Sequence, residues 1–173
     1  TDRLSKSGDV KANAMMAGFG VRALCMFLAA LAIVAPASLR GQVKETPYWA
    51  SISSGEARMR VGPSKDYPAN WVYRRRNLPV KVLQVHSNWR KIEDPSGTQG
   101  WMHVQLLSDT TTAIVVVNNG EIRSKRDDKS SMLYRVQKGV VGKISECKDG
   151  WCLVDVEGQR GFILASSLWG PVN

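Results

Sequence analysis

One grammar, used twice, constrains this chain more than any other feature: short apolar segments cut by turn residues. After residue 40 no stretch holds a helical apolar period for three turns. Leu78-Pro79-Val80-Lys81-Val82-Leu83-Gln84-Val85 alternates in part, as a half-buried strand does, and Trp89-Arg90-Lys91-Ile92-Glu93 follows a His-Ser-Asn turn. Asp94-Pro95-Ser96-Gly97 is the next turn, and Gly100-Trp101-Met102-His103-Val104 the next strand. The pattern then recurs: Val140 to Glu146, a Lys148-Asp149-Gly150 turn, Trp151 to Glu157, a second turn at Glu157-Gly158-Gln159, and Gly161-Phe162-Ile163-Leu164. Trp89 matches Trp151, Gly100-Trp101 matches Gly161-Phe162, and Leu106-Leu107 matches Ser167-Leu168. Short strands at this spacing predict an all-β chain of two tandem small β-barrels, over residues 48–108 and 112–170. Asp109-Thr110-Thr111-Thr112 is the expected joint. Barrels of about 60 residues bury a limited core, so each is modestly stable alone.

Residues 1–37 read as an N-terminal extension followed by a secretory signal. Arg22 precedes the apolar run ALCMFLAALAIVA at 23–35, and Ala35-Pro36-Ala37 supplies small residues at a cleavage site. The run of thirteen is too short to cross a bilayer, which takes about 20 apolar residues. No membrane span is therefore expected once the signal is removed, and the chain is expected in the periplasm or outside the cell. The whole chain has 24 Lys+Arg and 15 Asp+Glu, a net charge of +9; loss of four basic and two acidic residues with 1–37 leaves +7. That balance favours anionic partners, although the charge is scattered and also serves solubility.

Export makes the cysteines informative. Removing Cys25 leaves Cys147 and Cys152, an even pair in an oxidising compartment. They flank Lys148-Asp149-Gly150-Trp151, a hairpin turn that places both sides within disulfide reach. A metal site would need a second pair or a nearby His, and the sequence around them has neither.

Arg60-Val61-Gly62-Pro63-Ser64, Tyr67-Pro68, the Trp89 strand and Gly100-Trp101 together resemble the bacterial SH3 (SH3-like) domain family. Tyr67-Pro68, Trp71-Val72-Tyr73, Leu78-Pro79-Val80 and Trp89-Arg90 are similar to an exported proteobacterial branch with paired SH3-like domains and no assigned activity. Cys147-Lys148-Asp149-Gly150-Trp151-Cys152 and Leu168-Trp169-Gly170 carry the likeness into the second copy. That copy departs near 123–127, where Arg-Ser-Lys-Arg-Asp replaces Arg-x-Gly-Pro-Ser, so its loop is expected to differ; Arg123 aligns with either Arg58 or Arg60.

The resemblance implies a non-catalytic binding module for cell-wall polymer, peptide or an envelope protein. A structural envelope scaffold, or an accessory regulator of a wall hydrolase, is the alternative. No catalytic constellation is legible: there is no H-E-x-x-H, G-x-S-x-G or Gly-rich phosphate loop, and His86 and His103 are the only histidines. No cofactor and no metal are expected. Glu93-Asp94 and Asp127-Asp128 are expected to be solvated.

The cluster worth a hypothesis is Trp71, Tyr73, Arg74, Arg75 and Arg76, which could grip an anion while stacking on a planar group. Its composition also suits single-stranded nucleic acid, which export disfavours. The plainer reading packs Trp71 in the barrel and leaves the arginines to solubilise a turn. Tyr67, Trp71, Tyr73, Trp89 and Trp101 are the aromatics available for a binding surface, with Trp89 and Trp101 equally suited to the core. His103 alternates onto the face of Trp101, opposite Met102 and Val104, as a groove-lining side chain.

Overall fold

The computed structural model describes residues 44–172; the expected signal, its cleavage site and Cys25 lie outside them. Two seven-stranded antiparallel sheets account for almost all of the regular structure. The first comprises β1 (Tyr48–Ile52), β2 (Ala57–Arg60), β3 (Ala69–Tyr73), β4 (Pro79–His86), β5 (Trp89–Glu93), β6 (Gln99–His103) and, after a 3-10 turn at Val104–Leu106, β7 (Leu107–Ser108). The second comprises β8 (Thr112–Val115), β9 (Gly120–Arg123), β10 (Met132–Val136), β11 (Val141–Lys148), β12 (Trp151–Val156), β13 (Gln159–Leu164) and, after a 3-10 turn at Ala165–Ser167, β14 (Leu168–Trp169). Strand order is β3-β2-β6-β5-β4-β1-β7 in one and β10-β9-β13-β12-β11-β8-β14 in the other, which is the same order twice. The tandem of small barrels read from the repeat is the observed architecture. No helix among the described residues is long and apolar enough to cross a membrane.

Each barrel closes around the inward members of its alternating strands. In the first these are Ile52, Met59, Val80, Val82, Ile92 and Met102, all fully buried. In the second they are Val115, Ile122, Ile144, Val154 and Ile163, with Cys152 beside them. Burying one such side chain contributes about 1.5–3 kcal/mol, so a handful decides whether so small a barrel folds. The long strands β4 and β11 are bulged at equivalent points, Val82/Gln84 and Ile144/Glu146. An extra residue there bends a strand enough for one sheet to wrap round its core.

Turn chemistry sets the registers. Asp149 and Gly150 both have positive φ, 52° and 77°, the backbone of a type I′ two-residue hairpin. Lys148 therefore pairs with Trp151 and Cys147 with Cys152, and the two sulfurs are bonded as the sequence predicts. Register also resolves the alignment of the repeats: Arg60 pairs with Trp101 and Arg123 with Phe162, so Arg123 is the counterpart of Arg60, not of Arg58.

Three expectations need correction. Asp94 is not solvated: it is buried, its Oδ1 accepts from the Ser96 and Thr98 amides at 2.9 Å each, and its Oδ2 accepts from the Tyr73 hydroxyl at 2.9 Å. Tyr73 is correspondingly inside the barrel and is no surface aromatic. Third, the β9–β10 loop does not differ in path from the β2–β3 loop despite its changed sequence. Arg60 Nη1 donates to the Tyr67 carbonyl, and Arg123 Nη1 donates to the Ser130 carbonyl, in each case seven residues on. The Asp66 amide donates to Ser64 Oγ, as the Lys129 amide does to Asp127 Oδ1. A Cβ on Gly62 would stand 2.6 Å from the Tyr67 ring, which requires glycine there; the second loop has Ser130 in place of Tyr67 and tolerates Lys125 in place of Gly62.

The barrels sit against each other across the joint. Trp49 and Trp169 meet edge to face at 4.7 Å, and Arg75 Nη1 donates to the Gly139 carbonyl at 2.6 Å.

Two outcomes follow from this packing. Burial and the Asp94 carboxylate push the Tyr73 phenol up from its ordinary value, so Tyr73 stays protonated in the folded state where an unfolded tyrosine ionises, near pH 10. The stability this contributes is complete below pH 10 and is lost as pH rises through the folded value. Tyr73→Phe should flatten that alkaline loss in thermal melts between pH 9 and 11, and should cost about 1–2 kcal/mol at neutral pH because Asp94 loses a buried donor. Reducing the Cys147–Cys152 bridge, which closes a short loop, should cost about 2 kcal/mol in the chain-entropy model. The loss should be confined to the second barrel, as seen by amide exchange on the reduced protein.

Candidate functional site

Strand alternation sends Ala57 and Met59 inward on β2 and leaves Arg58 and Arg60 on the outer side. These two arginines flank a groove of about 530 Å³ on the first barrel, together with Glu56, Lys65 of the β2–β3 loop and Asn88 of the β4–β5 turn. Its far wall is Trp89, His103, Gln105 and Leu106. Trp89 opens β5 directly across from His103 at the end of β6, and their rings meet edge to face at 5.3 Å. The Gln105 amide donates to His103 Nδ1, which caps the 3-10 turn and fixes the imidazole against Trp89.

Three cations and one carboxylate face this groove. Arg58 Nη2 lies 3.4 Å from Glu56 Oε1, and Arg74 Nε lies 3.8 Å from Glu56 Oε2. Such long contacts between exposed groups hold neither side firmly. Arg60 is fixed differently, by one donor spent on the Tyr67 carbonyl. The groove can therefore bind an anionic or hydrogen-bonding chain against an aromatic wall. No group of three or more His, Cys, Asp or Glu side chains that could hold a metal occurs among the described residues.

The second barrel has the same groove position with other contents. Asn119, Glu121, Arg123, Asp128, Trp151, Leu164 and Ser167 enclose about 190 Å³ there. By register Glu121 stands where Arg58 is, Asp128 where Lys65 is, and Leu164 where His103 is. Arg123 is ion-paired to Glu121, and Trp151, half-buried as Trp89 in the first barrel, is buried here. Arg126 lies over the Phe162 ring at 5.0 Å and pairs with Glu146 at 2.7 Å.

Of the residues singled out from sequence, His103 lines the groove and Trp101 lies two residues back on the same face of the strand, half-buried and edge-on to His86 at 6.3 Å. Tyr67 is exposed on the loop, where its ring covers Gly62. Trp71 is 52% exposed on the edge strand β3, so it does not pack in the barrel. The three arginines point to different tasks: Arg74 toward Glu56, Arg75 to the Gly139 carbonyl of the other barrel, Arg76 to the Ser53 carbonyl at 2.9 Å. They are not gathered into one grip. Glu56, Arg58, Arg60, Lys65, Asn88, Gln105 and Leu106 were not legible as site residues, although the Arg-x-Arg alternation on one strand is the signal that points to them.

No curated protein sequence matches the chain. Among solved structures it is similar to NlpC2 from Trichomonas vaginalis, at 14% identity and a TM-score of 0.32, over 73% of this chain and 49% of that one. NlpC1 from the same organism gives 14% identity and 0.32 over 73% and 47%. The chain thus spans about half the length of these two proteins. The bacterial SH3 domain profile matches twice, over residues 53–109 and 116–170, one match to each barrel. The chain belongs to the bacterial SH3 domain family, as a tandem of two such domains.

Proposed function

We propose that this chain is an exported, non-catalytic module that binds cell-wall material through the groove of its first barrel. Bacterial SH3 domains are a binding-domain family often found in wall-associated proteins, and the Cys147–Cys152 bridge suits an oxidising compartment. The observation that carries the reading is the inequality of two otherwise matched grooves. The first is open, about 530 Å³, with Trp89 and His103 on its wall; the second, at the same place in the same fold, is about 190 Å³. A shared scaffold does not require this difference, and a ligand at the first site accounts for it. An aromatic wall beside hydrogen-bonding side chains is the usual make-up of a site for an extended peptide or glycan-linked peptide.

A protein partner in the envelope is the second reading, and one observation favours it. Met132, Leu133 and Tyr134 are consecutive and exposed on β10, the edge strand of the second sheet. Exposed apolar edge strands invite pairing with another chain.

The test is co-sedimentation with purified sacculi. The chain should pellet at low salt, less so as ionic strength rises, and Trp89→Ala should weaken retention about tenfold or more, as loss of a buried aromatic contact does. Wild-type protein left in the supernatant at low salt would contradict wall binding.

A further inference from the structure

We infer that the first barrel's groove selects a peptide by its free, chain-terminal carboxylate; this rests on the binding reading above and names the chemistry of that site. Both barrels share strand order, bulges, loop path and the arginine at 60 and 123, so backbone geometry is held constant. Between the two grooves Arg58 becomes Glu121 and Lys65 becomes Asp128. The sign of the groove reverses: three cations against Glu56 in the first, one cation against two carboxylates in the second. In the second, Glu121 occupies the arginine itself. What Arg123 receives from its own chain, the first groove leaves for a guest to supply.

Arg58 and Arg60 are two residues apart on one strand, so their side chains leave the same face about 7 Å apart. A guanidinium matches a carboxylate in plane and spacing, with two parallel hydrogen bonds. Glu56 beside Arg58 offsets one of the three cations and leaves a net of two positive charges, so charge alone attracts a carboxylate or a phosphate; the contacts a peptide adds at Trp89, Asn88 and Gln105 are the ones inorganic phosphate lacks. The remaining wall fits the rest of a peptide. Trp89 offers apolar area to small side chains, and the Asn88 and Gln105 amides can each satisfy a backbone group.

Binding of N-acetyl-Ala-Ala-Ala as the free acid and as its C-terminal amide to the full exported chain, followed by calorimetry, tests this. The free acid should bind about tenfold or more tighter than the amide, the size of one charged hydrogen-bonded contact. Arg58→Glu and Lys65→Asp install the residues of the second barrel at exposed positions of the same scaffold, and each should erase that preference without lowering the melting temperature by more than a few degrees. Sodium phosphate at matched ionic strength should not displace the acid. Equal binding of acid and amide, a preference that survives both substitutions, or displacement by phosphate would each overturn the inference while leaving wall binding through this groove in place. If neither peptide binds but sacculi are still retained through Trp89, the carboxylate inference alone falls. If sacculi are not retained either, both readings fall together.

Discussion

In both repeats the barrel closes where a glycine lets one strand lie against another. A Cβ on Gly100 would stand 2.5 Å from Met59 Cγ and 2.9 Å from the Arg60 carbonyl oxygen; one on Gly161 would stand 2.3 Å from Ile122 Cγ2 and 2.9 Å from the Arg123 carbonyl oxygen. The carbonyl in each case is backbone and cannot step aside without moving its strand. Close approach here, not unusual backbone dihedrals, is what requires glycine. Because β6 meets β2 at this point, Arg60 is registered with Trp101, and Arg58 is carried to the groove on the same strand. The site is thus a by-product of barrel closure, and the Gly-aromatic pair repeated in the sequence is its signature.

With the scaffold held equal, the repeats diverge where function has room to act. The buried Tyr73–Asp94 pair of the first barrel is replaced by Val136 and Val156 in the second, a polar pair exchanged for an apolar one of the same task. A fully satisfied buried hydrogen bond and a pair of valines can be close in net stability, which is why either is tolerated. The cross-strand bridge appears only in the second barrel, next to the shorter groove wall of Leu164. The charges of the groove, by contrast, reverse sign, and no packing demand in a solvated groove explains that.

Much of the fold was legible from residues alone. Alternation at Val80-Lys81-Val82 and around Ile92, the Asp149-Gly150 turn and the recurring Gly-aromatic step each report a local backbone geometry, and local geometry is what sequence spells. Less was legible where contacts are distant in sequence. On β3 only Tyr73 is buried, so Trp71-Val72-Tyr73 shows no alternation from which its inward member could be read. Asp94 looks like a turn residue and is one, yet its second oxygen faces a tyrosine twenty-one positions earlier. The groove gathers side chains from residues 56 to 106, on three strands, three connecting segments and a 3-10 turn, and only the fold brings them together. The three consecutive arginines looked like a unit because they adjoin in sequence, and they separate because each finds a different partner, Glu56, the Gly139 carbonyl and the Ser53 carbonyl. The β9–β10 loop kept its path because the bonds that shape it are made to backbone groups, which other side chains can supply.

On the proposed reading one barrel binds and the other supports it. The most direct measurement is backbone amide NMR of the isotope-labelled chain during titration with soluble, enzymatically released wall fragments. Shifts should concentrate at Arg58, Arg60, Lys65, Trp89 and His103, and the amides of Glu121, Asp128, Trp151 and Leu164 should stay in place. Comparable shifts at both sets of positions, or shifts confined to the second barrel, would contradict the account.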